Sequence, residues 1–316
     1  MIFRLTILGS SSALPTAKRY PSAHLLNVNE RFFLIDCGEG TQMQLRKYKL
    51  SFSKINHIFI SHMHGDHTFG LPGLLSTMQL LGRKSDLHIY GPAGLKDFLS
   101  LFTQNLGYEN DYKLIFHKTG HKGKNLIFSD KYLDVYSIPL KHRVETTGFL
   151  FKEKPAALNL KKEAIDKYRP GIEQIARIKA GENLELEDGS QIDNSKLCLR
   201  PWKRRSYAYI SDTAYLPDIA DHICGVDLLF HEATFENIDK KLAKNTFHST
   251  SGQAASIARK AKAGKLLLGH FSSRYKNLDR LLGDAKNEFE NSFIVEDGES
   301  FEIKRERVDS QGDKSD

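Results

Sequence analysis

The densest run of reactive side chains is Ser61-His62-Met63-His64-Gly65-Asp66-His67, with three histidines and an aspartate inside six residues. It follows directly on the apolar run 55–60, so the end of a strand presents it. In extended backbone, residues two apart point to the same side, which places His62 and His64 to hold one metal ion together. Gly65 then permits a sharp change of direction, so Asp66 and His67 can face a second. Imidazole and carboxylate donors without thiolate suit Zn²⁺, and also Mn²⁺ or Fe²⁺, with zinc the default. Four residues cannot close two catalytic sites, because each needs about three protein ligands and an open position. Three further candidates each end an apolar, strand-like run: His142 in Pro139-Leu140-Lys141-His142, Asp212 in Tyr209-Ile210-Ser211-Asp212, and His270 in Leu267-Leu268-Gly269-His270. His24, His57, His88, His117, His121 and His222 sit within strands or polar loops and fit less well. One metal then takes His62, His64 and His142, the other takes Asp66, His67 and His270, and Asp212 bridges both. Two ions about 3.5–4 Å apart make a hydroxide at neutral pH and stabilise charge on a displaced phosphate oxygen.

The elements that must position these residues can be read from periodicity. Residues 3–8, 23–28 and 31–35 form a strand and a hairpin, 39–48 a helix, 55–60 a buried strand and 68–81 a long helix. Its Leu71, Leu74, Leu75 and Met78 recur at helical spacing. A strand at 87–90 and a helix at 95–103 follow. Several strands then run through 114–151, and alternation returns from 207, with helices near 251–262 and 278–289. Two β-rich blocks, each followed by helices, predict an α/β protein of two packed sheets with helices outside. The interval 152–203 breaks the rhythm and reads as an inserted arm, with a helical patch near 161–168 and a Pro170-Gly171 turn. Between Phe151 and Gly181 it carries eight basic against four acidic residues. Charge runs of this kind are commonly solvated faces, so charge alone leaves a binding role open. The polar end 305–316 is expected to be disordered, leaving residues 1–304 as the catalytic domain.

The chain has 316 residues, 40% hydrophobic and 27% charged, as expected of a soluble enzyme. A net charge of +7 and a pI near 9.1 favour an anionic partner. The three cysteines lack metal-binding spacing and are odd in number, which argues against a disulfide framework and for a reducing compartment. No apolar stretch approaches the roughly 20 residues of a membrane span, so a cytoplasmic protein is expected.

The segment His62 to His67, with His142, Asp212 and His270 spread through the rest of the chain, resembles the metallo-β-lactamase superfamily. Further stretches resemble the ribonuclease Z family within it: LGSSSALPT from Leu8, DCGEGTQ from Asp36, HTFGLPGL from His67, HEAT from His231, HST from His248 and HFSSRY from His270. The metal motif specifies only the superfamily, whereas HEAT, HST and HFSSRY together point to the tRNA-processing branch. The resemblance implies an αβ/βα four-layer sandwich of two mixed sheets with a protruding arm, in a homodimer with two zinc ions per subunit. It also implies hydrolysis of precursor tRNA after the discriminator nucleotide, leaving a 3′-hydroxyl on the tRNA and a 5′-phosphate on the trailer. Asp66 would be both ligand and general base, and His248, held by Glu232, would protonate the leaving oxygen. By its residues alone, His248 could equally be a capping-region residue of the helix that follows. Arg274 would contact phosphate, and the arm at 152–203, with Lys161, Lys162 and Arg169, would grip the tRNA elbow from the neighbouring subunit. Pro170-Gly171 stands where family arms carry Gly-Pro, and Arg19-Tyr20 stands where Arg-Asn is usual.

Two other readings remain at this level. One is a small-molecule phosphodiesterase, arylsulfatase-like hydrolase or lactamase on the same fold, which needs no basic arm. The other is a non-catalytic RNA-binding module, which has no need for seven intact ligands.

Overall fold

The structure, a computed structural model, describes residues 1–308 apart from Pro15, residues 106–111 and His121. Six strands of the N-terminal part are β1 (Phe3–Gly9), β2 (Ala23–Val28), β3 (Arg31–Ile35), β4 (Ile55–Phe59), β5 (Leu87–Gly91) and β6 (Leu114–Lys118). Then come β7 (Asn125–Ser129), β8 (Leu133–Pro139) and β9 (Thr147–Glu153), followed by a short hairpin of β10 (Leu184–Glu185) and β11 (Gln191–Ile192). The chain continues through β12 (Ser206–Ile210), β13 (Leu228–Glu232), β14 (Lys265–Gly269), β15 (Ser292–Ile294) and β16 (Ser300–Glu302). They assemble into two seven-stranded sheets, β16-β1-β2-β3-β4-β5-β6 and β15-β14-β13-β12-β9-β8-β7. Each sheet is mixed: β3 through β6 and β12 through β15 pair in parallel, and the remaining neighbours are antiparallel. The central parallel strands are covered on both faces, which explains apolar runs such as Leu266-Leu267-Leu268 that show no alternation.

Phe59, Phe149, Phe151, Tyr207 and Phe230 fill the space between the sheets. Phe59 meets Phe149 and Phe151 edge-on, with centroids 5.5 and 5.2 Å apart. Helices Thr41–Lys47, Gly70–Leu80 and Gly94–Asn105 cover the first sheet, and Ile219–His222, Ser251–Lys260 and Asp279–Lys286 cover the second. The result is the expected four-layer αβ/βα sandwich.

Residues 152–203 are more than a polar excursion. A helix at Lys162–Tyr168 lies where the sequence places one, but a second at Ile172–Ala180, the hairpin β10–β11 and a turn of helix at Asn194–Leu197 were not anticipated. Together they enclose a small core of Ala164, Ile178, Leu184, Leu197 and Cys198. The apolar positions are too widely spaced among charged ones to signal a core locally, and they converge only in three dimensions. The tail also differs from expectation. Residues 305–308 pair with the end of the arm, through a bridge between Trp202 and Arg307 and a 2.8 Å bond from the Lys203 amide to the Glu306 carbonyl. Residues 309–316 lie outside the described residues.

Candidate metal centre

Each candidate ligand lies just beyond the C-terminal end of a strand: His62 to His67 after β4, His142 after β8, Asp212 after β12 and His270 after β14. The sandwich brings these ends to one edge, where the ligand atoms form two groups. His62, His64, His142 and Asp212 make one, and Asp66, His67, Asp212 and His270 the other, with all ligand atoms of a group within 4.8 Å of one another. Asp212 divides between them. Its Oδ2 is 3.6 Å from His62 Nε2 and 3.8 Å from His142 Nε2, while its Oδ1 is 3.5 Å from His67 Nε2 and 3.2 Å from His270 Nε2. Asp66 Oδ2 is 3.3 Å from both His67 Nε2 and His270 Nε2. A tetrahedral ion with bonds of about 2.0–2.1 Å has ligand–ligand edges of about 3.3–3.4 Å, close to these spacings. His67 Nε2 and Asp212 Oδ1 are buried without a hydrogen-bond partner, as ligand atoms should be.

The electrostatics agree. Burial holds the His62, His64 and His142 imidazoles neutral by lowering their pKa, which leaves lone pairs for a cation. Burial opposes a charge on His67 as well, yet Asp66, Asp36 and Asp212 around it raise its pKa well above the ordinary value. Three carboxylates about one buried ring call for positive charge at that point. Burial alone would raise the Asp66 carboxyl, but His67 and His270 hold it well below the usual carboxylate range.

Local geometry accounts for the motif. His64 is extended, and a one-turn helix, Gly65–Thr68, then turns Asp66 and His67 toward the second group. Gly65 is needed for space rather than for reversal: it has no positive φ, and a Cβ there would lie 2.3 Å from the Phe69 ring. The other ring nitrogens are also held. His142 Nδ1 donates to the Phe247 carbonyl at 2.9 Å, and His270 Nδ1 to Thr234 Oγ1 at 2.9 Å. His67 Nδ1 donates to Asp36 Oδ2 at 2.7 Å. Asp36 also accepts from the Ser61 amide, the Ser61 hydroxyl and Tyr209 Oη at 2.6–2.8 Å. Sequence reasoning assigned no role to Asp36 or Thr234. Asp36 was findable, since it too ends an apolar strand.

His248 and Glu232 come together beside the second group. Glu232 Oε1 is 3.1 Å from His248 Nδ1 and accepts the amides of Ser249 and Thr213, while Oε2 accepts Thr234 Oγ1 at 2.7 Å. The helix at Ser251–Lys260 is capped by Thr250 in a capping box with Gln253, so His248 is not needed as its cap. Burial favours neutral His248, but the Glu232 carboxylate outweighs it, assisted by Asp212 and Asp66, and raises the imidazole to about 9. Arg274 is exposed, its guanidinium 5.3 Å above the Phe235 ring, and that ring lies 6.0 Å from His248.

Of the arm residues, Lys162 and Arg169 are exposed. Lys161 is half-buried, and its ammonium donates to the Ser195 and Lys196 carbonyls at 3.0 Å, which helps close the arm's own fold.

Residues 3–152 match the family described as anti-Pycsar protein Apyc1, and residues 167–271 match the beta-lactamase superfamily domain. The ribonuclease Z of Phocaeicola vulgatus is 45% identical over 293 residues, covering 93% of this chain and 95% of that protein. That of Bacteroides thetaiotaomicron is 46% identical over 287 residues, covering 90% of each. The chain belongs to the ribonuclease Z family. Human tRNase Z, short form, superposes with a TM-score of 0.69 at 27% identity, over 94% of this chain and 98% of that one. The metallo-β-lactamase fold protein YhfI of Bacillus subtilis gives 0.69 at 21% identity over 96% and 100%, a likeness of fold. Ribonuclease Z proteins are hydrolytic endoribonucleases of the metallo-β-lactamase fold, and the clustered histidines and aspartates equip this member for divalent metal.

Proposed function

We propose that this ribonuclease Z removes 3′ trailers from precursor tRNA with two zinc ions per subunit, Mn²⁺ being an alternative. His62, His64 and His142 would hold one ion, Asp66, His67 and His270 the other, and Asp212 both. The observation that carries this is the division of Asp212, one oxygen to each group. When bound, such a pair supplies a hydroxide nucleophile at neutral pH and neutralises charge on the displaced oxygens. Asp66 has one oxygen turned to His67 and His270, and the other would take the proton of the attacking water. His248, kept protonated by Glu232, would deliver a proton to the leaving 3′ oxygen, giving a tRNA 3′-hydroxyl and a 5′-phosphorylated trailer. Arg274 would hold a flanking phosphate, its guanidinium steadied on Phe235.

The arm at 152–203 would grip the tRNA away from the cut, with Lys162 and Arg169 at its surface, from the neighbouring subunit of a homodimer. Cys37, Cys198 and Cys224 are unpaired, which suits a reducing cytoplasm. Among the described residues no helix is long and apolar enough to cross a membrane. The test is to incubate zinc-loaded protein with a precursor tRNA bearing a 3′ trailer and to map the product ends, with Asp212→Ala as control. A single cut after the discriminator base, lost in the variant, supports the assignment. An intact precursor beside a hydrolysed simple phosphodiester removes the tRNA substrate and leaves the metal centre.

A further inference from the structure

The arm has its own core, so its direction relative to the sandwich is decided where it joins. Its outgoing strand ends at Glu153 and its return begins β12 at Ser206. Between these ends sits the buried Arg205, whose guanidinium takes both Glu153 oxygens at 2.7 and 2.9 Å and donates to the Met1 and Ile303 carbonyls at 3.1 Å. That ties the base of the arm to the first sheet. Just beyond it, on the arm side, the chain runs through exposed residues 155–157 and 199–201, where a short linker would let the module swing.

A third segment crosses this place. After β16 the chain lies antiparallel to the returning arm. The Lys203 amide donates to the Glu306 carbonyl at 2.8 Å, and the Val308 amide to the Pro201 carbonyl at 3.0 Å. Trp202, the only tryptophan in the sequence, is met by two guanidiniums, Arg305 at 4.2 Å and Arg307 at 4.1 Å from its ring centroid. Arg307 also donates to the Arg200 carbonyl. Cation–π contact of this closeness, repeated on one ring, is a directional clamp and not a solvated charge run. Nothing in the sequence alone hints at it, since residues 305–308 read there as part of a polar tail.

We infer that residues 303–308 form a strap that sets the angle of the arm, with Trp202, Arg305 and Arg307 as positioning residues for RNA bound by the arm. The inference rests on the arm gripping precursor tRNA. A tethered binding module raises the effective concentration of its ligand at the active site only while the geometry allows both to engage. Loosening the strap therefore weakens productive binding of the long substrate and leaves the metal centre, at the strand ends, untouched.

The test uses the full zinc-loaded chain with Arg305→Ala/Arg307→Ala, and Arg305→Lys/Arg307→Lys as the variant that keeps both cations. Because Trp202 is the only tryptophan, acrylamide quenching of its fluorescence reads the clamp directly. The alanine pair is expected to raise quenching and to raise KM for precursor tRNA by about fivefold. Its kcat and its hydrolysis of bis(p-nitrophenyl) phosphate should stay at the wild-type level, and the lysine pair should restore both readouts. Unchanged quenching overturns the clamp. Raised quenching with an unchanged KM overturns its role in RNA positioning. A wild-type chain that leaves the precursor uncut overturns the underlying functional reading and this inference with it, and is seen before any variant is compared.

Discussion

The strand-end edge and the arm hold their functional residues in opposite ways. At the edge, ligands from four separate places in the chain are fixed by backbone, by buried carbonyls and by second partners such as Asp36 and Thr234. In the arm, Lys162 and Arg169 stand exposed on a module with a small core of its own. Bond making requires atoms held to fractions of an ångström, and a buried network supplies that. Phosphate gripping tolerates movement, because it is mostly charge at a distance screened by salt. Substitutions at the edge should therefore alter every substrate, and those in the arm only the long one.

The sharpest way to break this contrast lies at Glu232. Glu232→Gln removes the negative charge that raises His248 and keeps the shape of the side chain. A protonated donor works below its pKa, so kcat/KM falls as pH rises through it, and lowering that pKa moves the alkaline limb to lower pH. We expect kcat for precursor tRNA to drop by about 10²-fold or more and the limb to shift down. Unchanged pH profiles of the variant would remove His248 from proton transfer.

Much of this edge was legible in the sequence, for a physical reason. Strands buried in the sandwich, parallel or antiparallel, leave apolar runs, and a polar residue at the end of such a run can point into the shared edge. That rule selected His142, Asp212 and His270, and applied more widely it would have selected Asp36. Thr234 was not legible, because it acts only through Glu232 and His270, which approach it from elsewhere in the fold. The arm's core was invisible for the opposite reason: its few apolar residues carry no period, and Lys161 could not be told from a surface lysine until the Ser195 and Lys196 carbonyls were placed beside it.

Asp36 should give the next largest effect. It is fully buried and accepts four hydrogen bonds, one from ligand His67. Asp36→Asn keeps its size but brings an amide donor against groups that already donate. Zinc affinity should fall by about 10–100-fold, and hydrolysis of precursor tRNA and of the simple phosphodiester should fall together at limiting metal. Competition with a chromogenic chelator measures the first. If the two activities separated, Asp36 would be serving something other than the metal centre.

The smallest effect is expected at the arm. Lys162→Ala/Arg169→Ala removes two exposed cations that take no part in its small core, so folding should be unaffected. KM for precursor tRNA should rise by about threefold to tenfold at low salt. The slope of log KM against log salt should flatten by about one to two, since each lost phosphate contact releases one fewer counterion. The simple phosphodiester should be hydrolysed as before. Lys161→Ala provides the internal contrast, since its ammonium is bonded to backbone carbonyls: it should lower the arm's resistance to proteolysis and leave the salt slope as it was. A change of slope at Lys161 equal to that at Lys162 would mean that the arm opens on binding RNA, and the division between a fixed edge and a tolerant arm would need redrawing within the arm itself.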